Sequence, residues 1–224
     1  MQGFTYSVDL VLCIDATASM VSIIERVKDG ALNFYEDLAK TMADKGKSVD
    51  TVRARVIVYR DHYFDGELAM EDSGFLSLPG EQDAFGTFVR GIMAEGGGDE
   101  PETGLEALAT AITSPWSTEG TRRRQVIVVW TDASTHALGR EDVPRPAGYP
   151  EDMPGSFDEL TDMWEGGDHI HPNAKRLIVY APESYAWNDI AQTWEHVVHC
   201  VSSAGDGLSE IEYSTILDAI ANSI

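Results

Sequence analysis

Short apolar runs that end on a polar residue alternate along this chain with longer segments whose apolar positions recur every three or four residues. The first run, "VDLVLCID" at residues 8–15, is rich in Val, Leu and Ile. It reads as a strand covered on both faces, as in a parallel sheet. Behind it Met20, Ile23, Ile24, Val27, Ala31, Phe34, Tyr35, Leu38 and Met42 keep helical spacing, which predicts an amphipathic helix over about 19–44, ended by "DKGKS". "TVRARVIVYRDH" predicts a strand over about 52–59. After the turn signal Asp65-Gly66, "ELAM" and "GFLSL" predict a short return strand in a hairpin. Helices follow over about 81–93 and 101–113, separated by "EGGGDE". Pro101 suits a first helical position behind the candidate caps Asp99 and Glu100. "RQVIVVWTD" is a second buried strand that runs into an aspartate. A long connection containing Pro and Gly then leads to a helix near 156–165, the strand "KRLIVYA", a helix near 187–194, the strand "EHVVHCV" and a helix from about 209.

Strand and helix alternate to the end, which predicts one doubly wound, Rossmann-like α/β domain over residues 1–224 with a mostly parallel sheet. No repeat or low-complexity tract divides it. The 224 residues, 43% of them hydrophobic, supply a sizeable core and argue against disorder. With 38 acidic against 16 basic residues the formal charge is -22, which opposes a phosphate backbone and argues against nucleic acid as a partner. "LVLCI" has no basic segment before it, and no stretch approaches the roughly 18 apolar residues of a membrane span. The expectation is a cytoplasmic protein without a membrane role. Two cysteines allow one disulfide at most.

The chemistry concentrates where apolar runs stop. In "DATASM" Asp15, Thr17 and Ser19 occupy alternate positions after the first strand, so an extended turn can aim all three oxygens at one point. In a doubly wound sheet, ligands sit beyond the carboxyl ends of the strands. Hard divalent cations take carboxylates, hydroxyls and retained waters, which is the donor set a D-x-T-x-S loop offers. The local alternative is that Thr17 or Ser19 caps the following helix while Asp15 accepts backbone hydrogen bonds. Two further loops favour the metal: "VVWTDAS" places Asp132 after another buried strand, and "GGGDEPET" places Asp99 in a glycine-rich loop leading into a helix.

These three motifs resemble the von Willebrand factor type A domain with its metal-ion-dependent adhesion site, over nearly the whole chain. "DATAS" is similar to the family's D-x-[ST]-x-S, "GGGDEPETGLEAL" to its second metal loop and "VVWTDAS" to its third. "YRDH" with "GGGDEPE" resembles the intracellular and bacterial branch. The resemblance implies a six-stranded sheet in the order 3-2-1-4-5-6 with one antiparallel edge strand. It further implies a metal held by Asp15, Thr17, Ser19, Asp99 and Asp132. Adhesive members have threonine in the second loop, so Thr103 is the fallback ligand there, although loop position favours Asp99. Three ionised aspartates exceed a +2 charge, so such a site would hold metal well and attract an acidic partner group weakly. The function implied is a divalent-metal-dependent protein-interaction module, taking Mg2+, or Mn2+ or Ca2+, which accept the same donors, and a protein partner that is basic around the contact. The rival reading is a Mg2+-dependent hydrolase or phosphotransfer enzyme using the same carboxylates. It lacks a G-x-S-x-G elbow, a Walker A loop and a G-x-G-x-x-G fingerprint, so no catalytic residue is assigned.

Under the implied strand order, Asp61 and His62 of "YRDH" end on the metal side and could orient the ligands from behind; an ordinary surface arrangement of Arg60 and Asp61 is the likelier expectation from sequence. His169 and His171 in "GGDHIHP" lack a third ligand for zinc and are expected in a polar loop. Arg122, Arg123 and Arg124 fall at the opposite end of the sheet, as a solvated start to a strand or a docking patch. Trp116, Trp164, Trp187 and Trp194 are expected in the core. Cys13 and Cys200, in strands one and six, would be roughly 14 Å apart, beyond the roughly 7 Å reach of a disulfide, and are expected as free, buried thiols.

Overall fold

In the computed structural model, which describes residues 6–45, 49–120 and 122–201, a mixed, mostly parallel sheet carries seven strands. They are β1 (Tyr6–Asp15), β2 (Thr51–Tyr59), β3 (Met70–Asp72), β4 (Leu76–Leu78), β5 (Arg122–Trp130), β6 (Lys175–Ala181) and β7 (Val197–Val201). The order is β3-β2-β1-β5-β6-β7, with β4 also on β2. Strands β2 and β5 flank β1 in parallel, which is why β1 is apolar almost throughout.

The strand count corrects the expected six. The return edge is broken in two: β3 and β4 both run antiparallel to β2, along different parts of it. Ser73 sits at the break, where its Oγ accepts from the Val56 N–H at 2.9 Å and its own N–H donates to Val56 O. A side chain thus replaces a ladder partner, and the edge bends away at Gly74. Nor does a hairpin turn follow Asp65. A one-turn helix α2 (His62–Asp65) and a 3-10 turn at Gly66–Leu68 take up that segment instead.

Alternation along the strands sends side chains to two cores. Leu10, Leu12 and Ile14 of β1 face α1 (Ile24–Asp44) and α3 (Gln82–Gly91), packing with Phe34, Leu38, Phe85 and Val89. Val11 and Cys13 face α4 (Gly104–Ile112), α5 (Phe157–Glu165) and α6 (Tyr185–Thr193), with Leu108, Trp164, Trp187 and Ile190. All of α4 except Thr110 is buried. Trp164, Trp187 and Trp194 are core residues, and Trp116 is half-buried at the margin of the same core, its ring against Phe75.

Two helix starts differ from expectation. The first helix opens as a 3-10 turn at Ala18–Ser22 and becomes α-helical at Ile24. Helix α4 starts at Gly104, so Pro101, Asp99 and Glu100 lie ahead of it, and Glu102 bridges to Thr135 in a short parallel pairing. Cys13 and Cys200 are free, but Cys200 is half-buried rather than buried because β7 lies at the sheet edge. The helix expected from about 209 lies outside the described residues. Among the described residues no helix is long and apolar enough to cross a membrane.

Candidate metal centre

The ends of β1 and β5 are neighbours, so Asp15 and the segment after Trp130 meet. Asp15 is fully buried. Its Oδ1 accepts from the Thr17 N–H at 2.9 Å and the Thr17 hydroxyl at 2.7 Å, and its Oδ2 from the Thr131 hydroxyl at 2.6 Å. Thr17 Oγ1 lies 3.0 Å from Ser19 Oγ, and Ser19 donates to Asp132 Oδ1 at 2.8 Å. Asp15, Thr17, Ser19 and Asp132 are therefore joined in one chain of oxygens across two loops. Neither Thr17 nor Ser19 caps the next helix: the 3-10 turn has no side-chain cap, because the Thr17 hydroxyl is directed back to Asp15. Asp15 does accept a backbone N–H, as the local alternative required, but two hydroxyls join it.

The glycine loop closes over this chain. Ala18 N–H donates to Gly96 O and Glu95 N–H to Ala16 O. Gly96, Gly97 and Gly98 take φ of 73°, 90° and 63°, a left-handed run that other residues resist. At Gly97 a Cβ would stand 2.6 Å from Thr17 Cβ and 2.9 Å from Glu102 Oε1, so only glycine lets the loop lie between those side chains. Glu102 itself is buried, and its Oε2 has no hydrogen-bond partner. Its backbone is zipped to the third loop: Glu102 N–H donates to Ser134 O at 3.0 Å and His136 N–H to Glu102 O at 2.8 Å.

Arg60 and Asp61 correct the surface expectation, being 4% and 5% exposed. The Arg60 guanidinium donates to Glu95 O, Leu68 O and Met93 O and pairs with Glu71 at 3.1 Å, fastening the glycine loop to the turn after β2. Its carbonyl accepts the Thr103 hydroxyl at 2.5 Å. Asp65 Oδ2 accepts from the Gly97 N–H at 2.9 Å and the Asp61 N–H at 3.1 Å. Asp61 caps α2 by accepting from the Tyr63 N–H, and it lies 3.2 Å from His136 Nε2. His62 is buried with its ring 5.2 Å from that of Tyr149.

The electrostatics follow from this burial. Desolvation pushes the Asp15 carboxyl up to about 6 against the pull of Thr131 and Thr17. Desolvation, then the charges of Asp15, Asp61, Asp65 and Asp132, push Glu102 up to about 9. Among the described residues none of Asp15, Glu102 and Asp132 makes an ion pair. Buried carboxyl groups thus gather with only dipoles to satisfy them, and one oxygen of Glu102 has no partner. This is a setting an oxygen-binding cation fits. Among the described residues no three His, Cys, Asp or Glu side chains cluster as ligands, and the donors here are mixed hydroxyls and carboxylates.

The structure thus brings together Asp15, Thr17, Ser19 and Asp132. Asp99 is exposed, and none of these hydrogen bonds involves it. Thr103 is buried with its hydroxyl donated to Arg60. Glu102 is the residue that sequence reasoning missed. Treating Pro101 as helical put Glu102 on α4, whereas residues 101–103 precede it. His169 and His171 stay exposed in their loop. Cys13 is inert: its Sγ approaches Ala107 O and burial pushes the thiol up to about 12.

No family model matches the sequence, and neither does any curated protein. Solved structures do. Proximal thread matrix protein 1 from the mussel byssus is 11% identical over 98% of this chain and 48% of its own, with a TM-score of 0.55. The pilus adhesin SpaC from Lactobacillus rhamnosus GG is 11% identical over 99% of this chain and 30% of its own, with a TM-score of 0.58; its open conformation gives 9% and 0.57. The chain thus spans about half and under a third of those proteins. At such identities the likeness establishes a shared fold: this chain is a mixed α/β domain of the architecture found within both.

Proposed function

We propose that this chain is a von Willebrand factor type A-like domain that binds a partner protein through a divalent cation at the carboxyl ends of β1 and β5. The observation that carries the reading is the hydrogen-bonded chain Asp15–Thr17–Ser19–Asp132, closed over by the glycine loop and the unpartnered carboxylate of Glu102. Asp15, Thr17, Ser19 and Asp132 would hold the ion, directly or through water. Glu102, rather than Asp99 or Thr103, is the second-loop carboxylate. Mg2+ suits the donors, and Mn2+ or Ca2+ would accept them. A bound cation would supply an exchangeable position for an oxygen of the partner.

The chain's own residues do the rest. Arg60 and Asp65 hold the glycine loop, Thr131 orients Asp15, and the excess of carboxylates favours a partner with basic residues around its oxygen donor. An acidic surface also disfavours nucleic acid. The thread protein and the pilus adhesin are by name a matrix component and an adhesin, which accords with a binding role. Calorimetric titration with Mg2+ and Mn2+ tests the centre: saturable binding in the wild type, lost in Asp15→Asn with an unchanged circular dichroism spectrum, is expected. Equal affinity in both would overturn the reading. For the partner contact, binding that survives chelation would do so.

A further inference from the structure

A second site stands on residues the metal centre does not use. A half-open cleft of about 220 Å3 lies between α2 and the long connection from β5 to α5, lined by Tyr63, Arg140, Arg145, Tyr149 and Met153. Among the described residues that line it, the charged ones are the two arginines, in a chain of formal charge -22. Each guanidinium lies over a phenol ring, Arg140 at 4.7 Å from the Tyr63 centroid and Arg145 at 5.1 Å from that of Tyr149. Stacking leaves the in-plane N–H groups of Arg145 other than the one on Pro150 O for an oxyanion.

The two charges are compensated differently. Arg140 is engaged on both edges: it forks onto Asp142 at 3.1 and 2.8 Å, and its Nη1 lies 3.1 Å from His136 Nδ1. Among the described residues Arg145 makes no ion pair; it donates to Pro150 O and covers Tyr149. Arg145 is thus an arginine at the mouth of a cleft with N–H groups free of any carboxylate among the described residues, in a chain where acidic residues outnumber basic ones more than two to one.

The aromatic walls are fixed from behind. The Tyr149 hydroxyl donates to the buried Glu106 Oε1 at 2.9 Å. Tyr63 meets the His136 ring edge-on at 4.7 Å, and Arg140 Nη1 lies 3.1 Å from His136 Nδ1. The walls need little ordering when a ligand arrives.

We propose that this cleft binds a small organic anion, its carboxylate or phosphate group taken by Arg145 and its apolar part laid on Tyr63, Tyr149 and Met153. The volume is below that of drug-sized pockets and suits a compact metabolite. The site uses none of the oxygens assigned to the cation, so it stands whether or not that assignment does.

The test is calorimetric titration of the full chain, with chelator present, using benzoate, succinate and inorganic phosphate as probes. At least one should bind saturably with a Kd of about 1 mM or below, and comparison among the three separates carboxylate from phosphate. Arg145→Ala should weaken that binding about tenfold or more, with Arg145→Lys intermediate, because a point charge replaces a planar fork. Arg123→Ala, at the far end of the sheet, should leave it unchanged. Arg145 is exposed and in a loop, so its variants should keep the native near-ultraviolet circular dichroism. Absence of saturable binding by all three probes would overturn the proposal. So would binding that is equal in the wild type and Arg145→Ala.

Discussion

Two buried aspartates six positions apart on the same strand show how differently this protein treats one residue type. Asp9, near the amino end of β1, lies beside Arg53 of β2 in register and takes its guanidinium at two points, 2.8 and 2.6 Å, along with the Ser117 N–H at 2.6 Å. Its charge is answered within the fold. Asp15, at the carboxyl end, is buried at least as deeply and receives one amide and two hydroxyls, with no cation. A paired carboxylate is a structural part. One held only by dipoles, with Asp132 and Glu102 nearby, is left short of positive charge and can gain it from an ion.

Removing the two charges should separate these roles. Asp15→Asn should lower affinity for Mg2+ at least about a hundredfold while leaving chelator-treated stability the same or higher, read by calorimetry and by urea melts. A loss of stability as large as that of the paired site would erase the contrast.

Glu106 extends the comparison to a third buried carboxyl, which takes a tyrosine hydroxyl on Oε1 and leaves Oε2 without a hydrogen-bond partner. Burial, countered by the Tyr149 hydroxyl, raises it from the ordinary 4.5 to about 7. An acid whose folded value is raised favours folding while protonated, so stability should fall as pH rises from about 4.5 to about 7, by up to about 3 kcal/mol. Glu106→Gln should flatten that part of the profile in urea melts across pH. An unchanged slope would remove Glu106 from the comparison.

Asp9→Asn should lower stability by about 2 kcal/mol, less than the loss of a fully buried pair because Arg53 is partly exposed. Its Mg2+ affinity should match the wild type. Smallest is the contrast within the second loop. Glu102→Gln keeps an oxygen donor but cannot give up a proton to become a carboxylate beside the ion, so about a tenfold loss in Mg2+ affinity is expected, against little change for Asp99→Ala. The reverse ranking would return the second-loop ligand to Asp99.

Much of the scaffold was legible because parallel strands buried on both faces must be apolar throughout. "VDLVLCID", "RQVIVVW" and "KRLIVYA" have few other readings, and the strand KRLIVYA was found to the residue as Lys175–Ala181. The D-x-T-x-S spacing was legible too, because an extended turn directs alternate side chains to one side. The edge strand was misread because its break depends on Ser73 finding Val56, a contact seventeen residues away in sequence. Arg60 and Asp61 were read as surface residues because charge usually means exposure, and nothing local shows that three backbone carbonyls wait for that guanidinium.

The sequence by itself determined the alternation of strand and helix, the mostly parallel sheet, and the loops in which Asp15 and Asp132 would stand, since these follow from periodicity and from where apolar runs end. Only the tertiary structure decided which second-loop carboxylate turns inward. Glu102 is placed there by backbone hydrogen bonds to Ser134 and His136 and by the space that Gly97 leaves beside Thr17, while Asp99, three residues earlier, is left in solvent. Such a choice rests on contacts between loops far apart in the chain, and it has no local signature for a sequence to carry.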